Sequence, residues 1–427
     1  MNILMISNTF TPHVGGVAVS VRRFTEEFRG MGHRVLVVAP EFEDSPRTER
    51  DVVRVPAVQH FNGSDFAVPV PVTRRVSAAL KEFVPGIVHS HHPFLLGDTA
   101  LRVAASREVP VVFTHHTMYE KYTHYVPGDS PRLKRFVIDL TTGYSNLCDA
   151  VIAPSKSVED LLLGRGITVP VTVIPTGVDL DVFEGADGSA YRRAAGIPES
   201  AFVVGHAGRL APEKNVDFLA EVVAGFLARH AGGRFLLVGE GPSRERILAA
   251  FAGRGLTERV HLGGVLRGKQ LASSYNAMDV FAFASLTETQ GMVLTEAMAA
   301  GVPVVAVDAP GAREVVRDGV NGRLVPRPDV GEFLEALRWV AESGPGERRR
   351  LTEGVKETAR EFSMRRSAAK QLALYESLTG SRHAPREIDA SPWTAARKLI
   401  GKEWEILRNI ARAAGEAVRS ETDDSIS

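Results

Sequence analysis

The chain has 427 residues, of which 44% are hydrophobic and 24% are charged, a composition typical of a globular protein with two or three domains. Lys plus Arg and Asp plus Glu each number 51, which argues against a nucleic-acid binder that works through bulk positive charge. A single cysteine, Cys148, and the lack of a signal peptide or an apolar run of membrane-spanning length predict a cytoplasmic protein.

The first part of the chain alternates short apolar segments with amphipathic ones. The pattern predicts a strand at 3–7, a loop at 8–16 that contains Gly15 and Gly16, and a helix at 17–31. Further strands are predicted at 34–39, 86–90, 109–114, 150–154 and 169–175. Near-continuous apolar strands separated by amphipathic helices are typical of a parallel sheet covered on both faces.

The same cycle begins again after a change in composition. Residues 176–200 carry many small and charged side chains and are interpreted as a linker with one short helix. Strands then follow at 202–206, 235–239, 260–263, 280–284 and 302–307. We therefore expect an α/β protein with two doubly wound, Rossmann-like domains that face each other across a cleft, where ligands of such folds bind.

The predicted domain organisation has four parts. We expect an N-terminal domain at 1–175, a C-terminal domain at 176–365, and a helix at 366–385 that returns to the first domain. Residues 386–427 form an amphipathic extension, because its apolar side chains repeat at steps of three or four. These side chains are Trp393, Ala396, Ile400, Trp404, Leu407 and Ala411. The stripe is explained either by packing or by a membrane interface.

Two glutamates, Glu288 and Glu296, follow an apolar strand and flank the start of a helix. Gly291 interrupts the helical continuity between them, so both can face one ligand. The backbone amides of the first helical turn suit phosphate oxygens, and they belong to Gly291, Met292, Val293 and Leu294. The alternative is two solvated glutamates, which the dipole of any helix start favours.

Two cations, Arg209 and Lys214, follow Gly208 at the end of the first strand of the second domain. An Arg fork and a Lys point charge five residues apart in a loop can clamp a diphosphate. The alternative is ordinary surface charge, because exposed Arg and Lys are usually just solvated.

Several histidines follow two strands of the first domain. His115 and His116 come after one strand, and His89, His91 and His92 come at the end of the strand before it. No HExxH or CxxC spacing accompanies them, so polar lining of a cleft or packing is preferred to a metal site. The motif Asp179-Leu180-Asp181 falls in the linker. We expect no metal and no cofactor.

In order and spacing, a set of these motifs resembles the retaining glycosyltransferases of family 4, over about residues 1–380. The set comprises Gly15 and Gly16, His116, Arg209, Lys214 and the pair Glu288 and Glu296. The resemblance implies the GT-B fold and a nucleotide diphosphate sugar as a co-substrate. It also implies that the glycines of the first loop, Gly16 in particular, approach donor and acceptor.

The resemblance further implies a role for each matching side chain. Arg209 and Lys214 are expected to hold the diphosphate, Glu288 the donor sugar and Glu296 the nucleotide ribose. His116 is expected to lie beside the donor sugar. No motif supplies a clear pair of carboxylates of the kind that two-step retaining glycosidases need. The resemblance instead implies front-face departure and attack, with the leaving phosphate taking the acceptor proton. It also implies that the domain at 1–175 binds the acceptor and that the domain at 176–365 binds the nucleotide sugar.

A narrower similarity concerns the segments 91–97, 115–127 and 287–291, which look like those of bacterial diacylglycerol glucosyltransferases. It implies glycolipid biosynthesis from UDP-glucose and 1,2-diacylglycerol at the inner face of the cell membrane. Candidate membrane surfaces are a helix at 72–84, the cluster 132–136 and the extension. The alternatives are a polyprenyl-linked or soluble saccharide as acceptor, a nucleotide-sugar epimerase, or a non-catalytic sensor on the same fold.

Overall fold

The structure is a computed structural model that describes residues 1–380 except 14, 47, 59–67, 70–72, 122 and 124–129. It divides the chain into two compact units. The first unit comprises Met1–Pro175 and the chain from Ser367 onward, and the second comprises Thr176–Arg366. The stripe predicted in the extension at 386–427 lies outside the described residues.

The first unit is built on a seven-stranded sheet in which every pairing is parallel. The strands of this unit are β1 (Asn2–Ile6), β2 (Arg34–Pro40), β3 (Val52–Val55), β4 (Ala57–Val58), β5 (Val68–Pro69), β6 (Ile87–Ser90), β7 (Val111–Thr114), β8 (Ala150–Ala153) and β9 (Val171–Val173). The sheet order is β3-β2-β1-β6-β7-β8-β9, and β4 and β5 form a separate antiparallel pair.

Helices connect the strands of the first unit. They are α1 (Gly16–Gly30), α2 (Thr73–Glu82), α3 (Leu96–Arg107), α4 (Pro131–Asn146) and α5 (Lys156–Gly164). The side chains of β1 from Ile3 to Ile6 are fully buried, as expected for a central strand covered by helices on both faces.

The second unit repeats this plan with a six-stranded parallel sheet. Its elements are α6 (Gly188–Ala194), β10 (Phe202–Ala207), α7 (Val216–Arg229), β11 (Gly233–Val238), α8 (Arg244–Ala252), β12 (Val260–Gly264), α9 (Gly268–Asn276), β13 (Val280–Phe283), α10 (Met292–Ala299), β14 (Val304–Val307), β15 (Gly322–Val325), α11 (Val330–Glu342) and α12 (Pro345–Glu361). The order is β12-β11-β10-β13-β14-β15. Adjacent residues of β10, Val203 and Val204, enter hydrophobic clusters on opposite faces.

In each sheet the strand order reverses beside the first strand of the unit. In the first unit the reversal lies between β1 and β6, and in the second between β10 and β13. Loops that follow neighbouring strands at such a point diverge and leave a crevice beyond the carboxyl ends. The loops after these four strands are therefore where each unit is expected to hold a ligand.

A last helix, α13 (Met364–Gly380), begins in the second unit and belongs to the first from Ser367 onward. The Tyr375 side chain is fully buried in the first unit, with its ring centroid 5.9 Å from that of Phe28 on α1. Residues 381–385 of the helix predicted at 366–385 lie outside the described part of the chain.

Several elements were not predicted. Strands β3 and β15 are short and each contains an arginine, so neither shows a continuous apolar run. The first residue of β15 is Gly322. A larger residue does not fit there, because its Cβ would lie 1.8 Å from the carbonyl oxygen of Val304. The segment interpreted as a linker carries a short 3-10 turn at Asp181–Phe183 as well as α6.

Candidate functional site

Two loops of the second unit are fastened together at its switch point. One loop follows β10 and the other follows β13. The Asn215 side-chain amide donates to the carbonyl oxygen of Ala284 at 3.2 Å, and the hydroxyl of Thr287 donates to the carbonyl oxygen of Glu213 at 3.1 Å. These bonds hold both loops in one arrangement, which fixes the relative positions of the side chains that they carry.

A close ion pair joins the two loops. The Nζ atom of Lys214 lies 2.6 Å from Oε1 of Glu288, and the two side chains are only 23% and 16% exposed. Because a half-buried pair is weakly screened by water, each charge orients the other. Arg209, in the same loop as Lys214, is exposed. Arg209 is the second cation of these loops, and Glu213 lies between the two cations in the sequence.

Glycines permit the close approach of backbone around the ion pair. Gly208 has a φ of +148° and Gly291 a φ of +68°, both in the region that disfavours other residues. A Cβ on Gly311, in the loop after β14, would lie 2.6 Å from Cβ of Glu288. A third loop therefore packs directly against the glutamate, which the sequence did not reveal.

The helix α10 presents the start of its first turn beside this loop. Gly291 is its N-cap, and the amide of Leu294 donates to the carbonyl oxygen of Gly291 at 2.9 Å. The amides of Met292 and Val293 come first in the helix and have no carbonyl one turn earlier to bond. They, and not the amide of Leu294, are the ones that the helix end offers to an anion.

Glu296 lies in the second turn of α10 and is buried, with 7% exposure. The hydroxyl of Tyr275 on α9, itself fully buried, donates to its Oε2 at 3.0 Å. Because a buried carboxylate needs hydrogen-bond donors, Tyr275 fixes Glu296 in one orientation. Tyr275 was not predicted, since its contact with Glu296 joins two helices.

Gln290 is another residue whose role was not predicted. Its buried side chain bonds both backbone groups of Thr176: Oε1 accepts from the amide at 2.7 Å, and Nε2 donates to the carbonyl oxygen at 2.5 Å. This two-point contact spans 114 positions of the chain. The contact anchors Gln290, which directly precedes Gly291, the residue at which the loop ends and α10 begins.

His206, near the end of β10, is a buried imidazole beneath these loops. Its Nδ1 donates to the carbonyl oxygen of Ala282 at 3.0 Å, and its Nε2 has no hydrogen-bond partner in the described part of the chain. Burial lowers the pKa of His206 to about 4, so the ring is neutral at pH 7 and Nε2 holds an acceptor lone pair.

In the first unit, the loops after β1 and β6 are fastened by Asn8. Its side chain donates to the carbonyl oxygen of Phe94 at 3.0 Å and accepts from the amide of Leu96 at 3.1 Å, while its own amide donates to Nδ1 of His92. Gly15 caps α1 with a φ of −169° and Gly16 is its first residue, exposed to solvent. Extended backbone does not require a glycine, so the small size of Gly15 and Gly16 is what distinguishes this helix start.

The predicted histidines lie together at the ends of β6 and β7. Nδ1 of His91 lies 2.9 Å from Nε2 of His116, and the ring of His89 lies 4.1 Å from that of His91 between centroids. Burial lowers the pKa of each of these imidazoles below the ordinary value, so the rings are neutral at pH 7. In the described part of the chain no group of three or more His, Cys, Asp or Glu side chains is arranged to hold a metal.

The predicted site residues thus fall into two sets. Lys214 and Glu288 are in direct contact in the second unit, where Arg209, Glu296 and the start of α10 lie in the same loops or next to them. His116, Gly15 and Gly16 belong to the first unit. Two of the buried residues near these sets are histidines at strand ends: His91 directly follows β6 and His206 lies near the end of β10. A histidine at the end of an apolar strand is the sequence signal by which both can be found.

Comparisons with known proteins cover most of the chain. The family model described as Glycosyltransferase Family 4 matches residues 14–182, and the one described as Glycosyl transferases group 1 matches residues 187–358. The GDP-mannose-dependent alpha-mannosyltransferase of Mycobacterium tuberculosis is 33% identical over 348 residues, which are 79% of this chain and 86% of that protein.

The names of two further matches give other substrates or ligands. The alpha-monoglucosyldiacylglycerol synthase of Streptococcus pneumoniae is 29% identical over 345 residues, 79% of this chain and 78% of that protein. The structure of Anabaena HepE in complex with UDP superposes with a TM-score of 0.68 at 22% identity and covers 88% of this chain and 100% of that one. Among the described helices, none is both long and apolar enough to cross a membrane.

Proposed function

Because the chain belongs to the family-4 glycosyltransferases and has their GT-B fold, we propose that it moves a hexose, with retention, from a nucleotide diphosphate sugar to a lipid hydroxyl. The proposed donor is UDP-glucose and the proposed acceptor 1,2-diacylglycerol. The observation that carries the proposal is the Lys214–Glu288 pair at the switch point of the second unit, where folds of this kind bind nucleotides.

The second unit supplies the charges that the departing diphosphate needs. Negative charge develops on the phosphate oxygen as the bond to the sugar breaks, and fixed cations and amides stabilise it without reorganising. Lys214 and Arg209 are the cations, and the amides of Met292 and Val293 add the positive end of α10. Glu288 holds Lys214 in place and has a second carboxylate oxygen with which to accept a sugar hydroxyl.

Glu296 is proposed to accept the ribose hydroxyls of the donor. A carboxylate bonded on one side by a buried tyrosine keeps further acceptor sites for two neighbouring hydroxyls. We propose that Arg209, Lys214 and the amides of Met292 and Val293 stabilise the charge on the diphosphate without a metal ion.

The first unit is proposed to support the sugar and the acceptor through His116. A neutral imidazole donates one hydrogen bond and accepts another, which suits an uncharged hydroxyl group. The leaving phosphate is proposed to take the acceptor proton as the acceptor oxygen attacks from the same face. Neither the His116 ring nor Glu288 then acts as a covalent nucleophile.

The lipid acceptor is supported by relatives and by one surface. The alpha-monoglucosyldiacylglycerol synthases of Streptococcus pneumoniae and Acholeplasma laidlawii are 29% and 28% identical to this chain. Helix α4 exposes Arg132, Lys134 and Arg135 at its start, with Phe136 half-buried among them. A helix start with cations around its first turns suits an anionic membrane surface, so we propose peripheral attachment at the inner face of the cell membrane.

The other predicted membrane helix is a weaker candidate. The apolar side chains of α2 and of Phe83, which follows it, are buried in the core of the first unit: Val76, Leu80 and Phe83 are 4–5% exposed. These three apolar side chains of the segment predicted at 72–84 therefore serve packing, whereas Arg74, Arg75, Lys81 and Val84 are exposed.

A second candidate function is mannosyl transfer from GDP-mannose. The observation that favours it is the mannosyltransferase of Mycobacterium tuberculosis, whose identity of 33% exceeds the 29% of the alpha-monoglucosyldiacylglycerol synthase of Streptococcus pneumoniae. Because one fold hosts many activities, UDP-glucose and GDP-mannose have to be compared directly as donors.

The test uses the purified full chain with labelled UDP-, GDP- and ADP-sugars, with and without diacylglycerol vesicles. Label in an alkali-stable lipid from UDP-glucose is the expected result. Transfer from GDP-mannose alone would replace the proposal by the second candidate. Donor hydrolysis without labelled lipid would retain the glycosyltransferase and overturn the lipid acceptor.

Membrane attachment is tested separately by flotation with vesicles that contain anionic lipid. Replacing Arg132, Lys134 and Arg135 by Gln is expected to weaken flotation by about 10-fold or more, at roughly 1 kcal/mol per cation near the surface. The control replaces three exposed arginines in the first half of α12, Arg348, Arg349 and Arg350. Equal loss in both variants would show unspecific charge attraction instead of a surface on α4.

A further inference from the structure

His91 is a buried imidazole for which the proposed reaction has no use. It is 1% exposed at the carboxyl end of β6. Its Nδ1 lies 2.9 Å from Nε2 of His116, and the two rings are stacked with their centroids 5.2 Å apart. Its own Nε2 is buried and has no hydrogen-bond partner in the described part of the chain.

The hydrogen bond between the two imidazoles decides where their protons lie. Two neutral imidazoles can share a bond only if one nitrogen carries the proton and the other a lone pair. If His116 donated, His91 would hold its proton on Nε2, and a buried N–H would have no acceptor. If His91 donates from Nδ1, the unpartnered Nε2 is a bare lone pair. Unpaired buried donors are rarer than unpaired acceptors, so His91 is the donor.

The imidazole of His89 packs against that of His91 and fixes its orientation. The ring of His89 lies 4.1 Å from that of His91 between centroids. Both nitrogens of His89 are bound: Nε2 lies 2.7 Å from the hydroxyl of Thr114, and Nδ1 lies 2.6 Å from the hydroxyl of Tyr375. Tyr375 belongs to α13, so the last described helix holds the stack of rings in place.

We propose that His91 is a positioning residue that sets the tautomer of His116, with the His116 proton on Nδ1 and a bare Nε2. His116 then offers a hydrogen-bond donor at its second nitrogen, which suits a sugar oxygen as acceptor. This last step rests on the proposed function, whereas the tautomer does not.

The first experiment reads the tautomer by NMR of the full chain labelled with 15N-histidine, since protonated and bare imidazole nitrogens have well-separated shifts. His116→Gln assigns the signals. A bare Nε2 on His116 at pH 7 is the expected result. A protonated Nε2 overturns the proposal, whatever the activity of the protein.

The second experiment compares two substitutions at one position. His91→Leu fills the space but removes the donor, and is expected to lower kcat on the order of 10-fold with little change in the donor KM. His91→Asn places an amide N–H near the former Nδ1 and is expected to restore most of the rate. Equal losses in both variants, with native thermal unfolding, overturn the positioning role.

The two failures are distinguishable because the wild-type chain is assayed alongside. A wild-type chain without transferase activity contradicts the proposed function and leaves the NMR result to judge the tautomer. An active wild type in which His116→Ala is impaired and His91→Leu is not contradicts the inference alone.

Discussion

The two units share one scaffold, but the candidate side chains of the first are neutral and those of the second are charged. In the first unit, imidazoles made neutral by burial bond one another and their neighbours. In the second, Lys214 and Glu288 form a charged pair that remains partly exposed. The pair lies in the loops at the switch point of the second sheet, whereas the imidazoles lie at the ends of β6, which borders the switch point of the first sheet, and of its neighbour β7. The sheet therefore decides where the loops lie, and the loop residues decide whether the surface that they form is neutral or charged.

The largest expected consequence is a difference in acid stability. Burial lowers the pKa of His89 and His92 to about 3 and that of His115 to about 4. These values lie below the ordinary value of about 6.5, so the unfolded chain takes up protons first as the pH falls. The stabilisation is complete above about pH 6.5 and is lost towards pH 4, by up to ~1.4 kcal/mol per pH unit for each group.

The second unit, all of whose residues are described, has a single fully buried histidine, His206. We therefore expect the first unit to open first between pH 7 and pH 5, as measured by hydrogen exchange with mass spectrometry and corrected for intrinsic exchange. His206→Phe should flatten the pH dependence of the second unit and leave that of the first. If the second unit opened first, the buried histidines of the first unit would not control the acid stability of the protein.

The next largest effect is expected from the charged pair. Lys214→Ala should lower kcat by roughly 10²–10³-fold, the usual cost of removing one group that stabilises developing oxyanion charge. Lys156→Ala is the control, because Lys156 also pairs with carboxylates but lies exposed on α5. Near-normal turnover of a folded Lys214→Ala variant would remove the diphosphate clamp from the proposal.

Sequence patterns located the central strands and the loops that follow them, because buried parallel strands are continuous apolar runs that end at Gly, Pro or polar residues. They did not reveal the partners within those loops. Lys214 and Glu288 are 74 positions apart, and Gln290 and Thr176 are 114 apart. Such pairings depend on strand order, which periodicity does not encode. The stripe of α2 shows the converse, since an apolar face looks the same in a core and at a membrane.

A smaller effect, on stability, is expected at Gln290. Gln290→Ala removes both bonds to the backbone of Thr176 and should lower the free energy of unfolding of the second unit by about 2 kcal/mol. Denaturant unfolding measures it. Gln270→Ala, at an exposed position of α9, should change the same quantity by less than about 0.5 kcal/mol. Equal values would show that the contact adds nothing to the stability of this loop.

The smallest expected effect tests the orientation of the Glu296 carboxylate separately from its charge. Tyr275→Phe keeps the ring between Phe183 and Phe281 and removes only the hydrogen bond to Glu296. The carboxylate keeps its charge but loses its fixed orientation, so the donor KM should rise roughly 5–10-fold, equivalent to a bond of about 1–1.5 kcal/mol, with kcat little changed.

Tyr191→Phe is the matched control, because this half-buried tyrosine of α6 belongs to the same unit and makes no hydrogen bond to Glu296. An unchanged KM in Tyr275→Phe would mean that Glu296 does not bind the donor. A fall in kcat without a change in KM would place Glu296 in the transfer step, and the charged set of the second unit would then extend from the diphosphate to the reacting sugar.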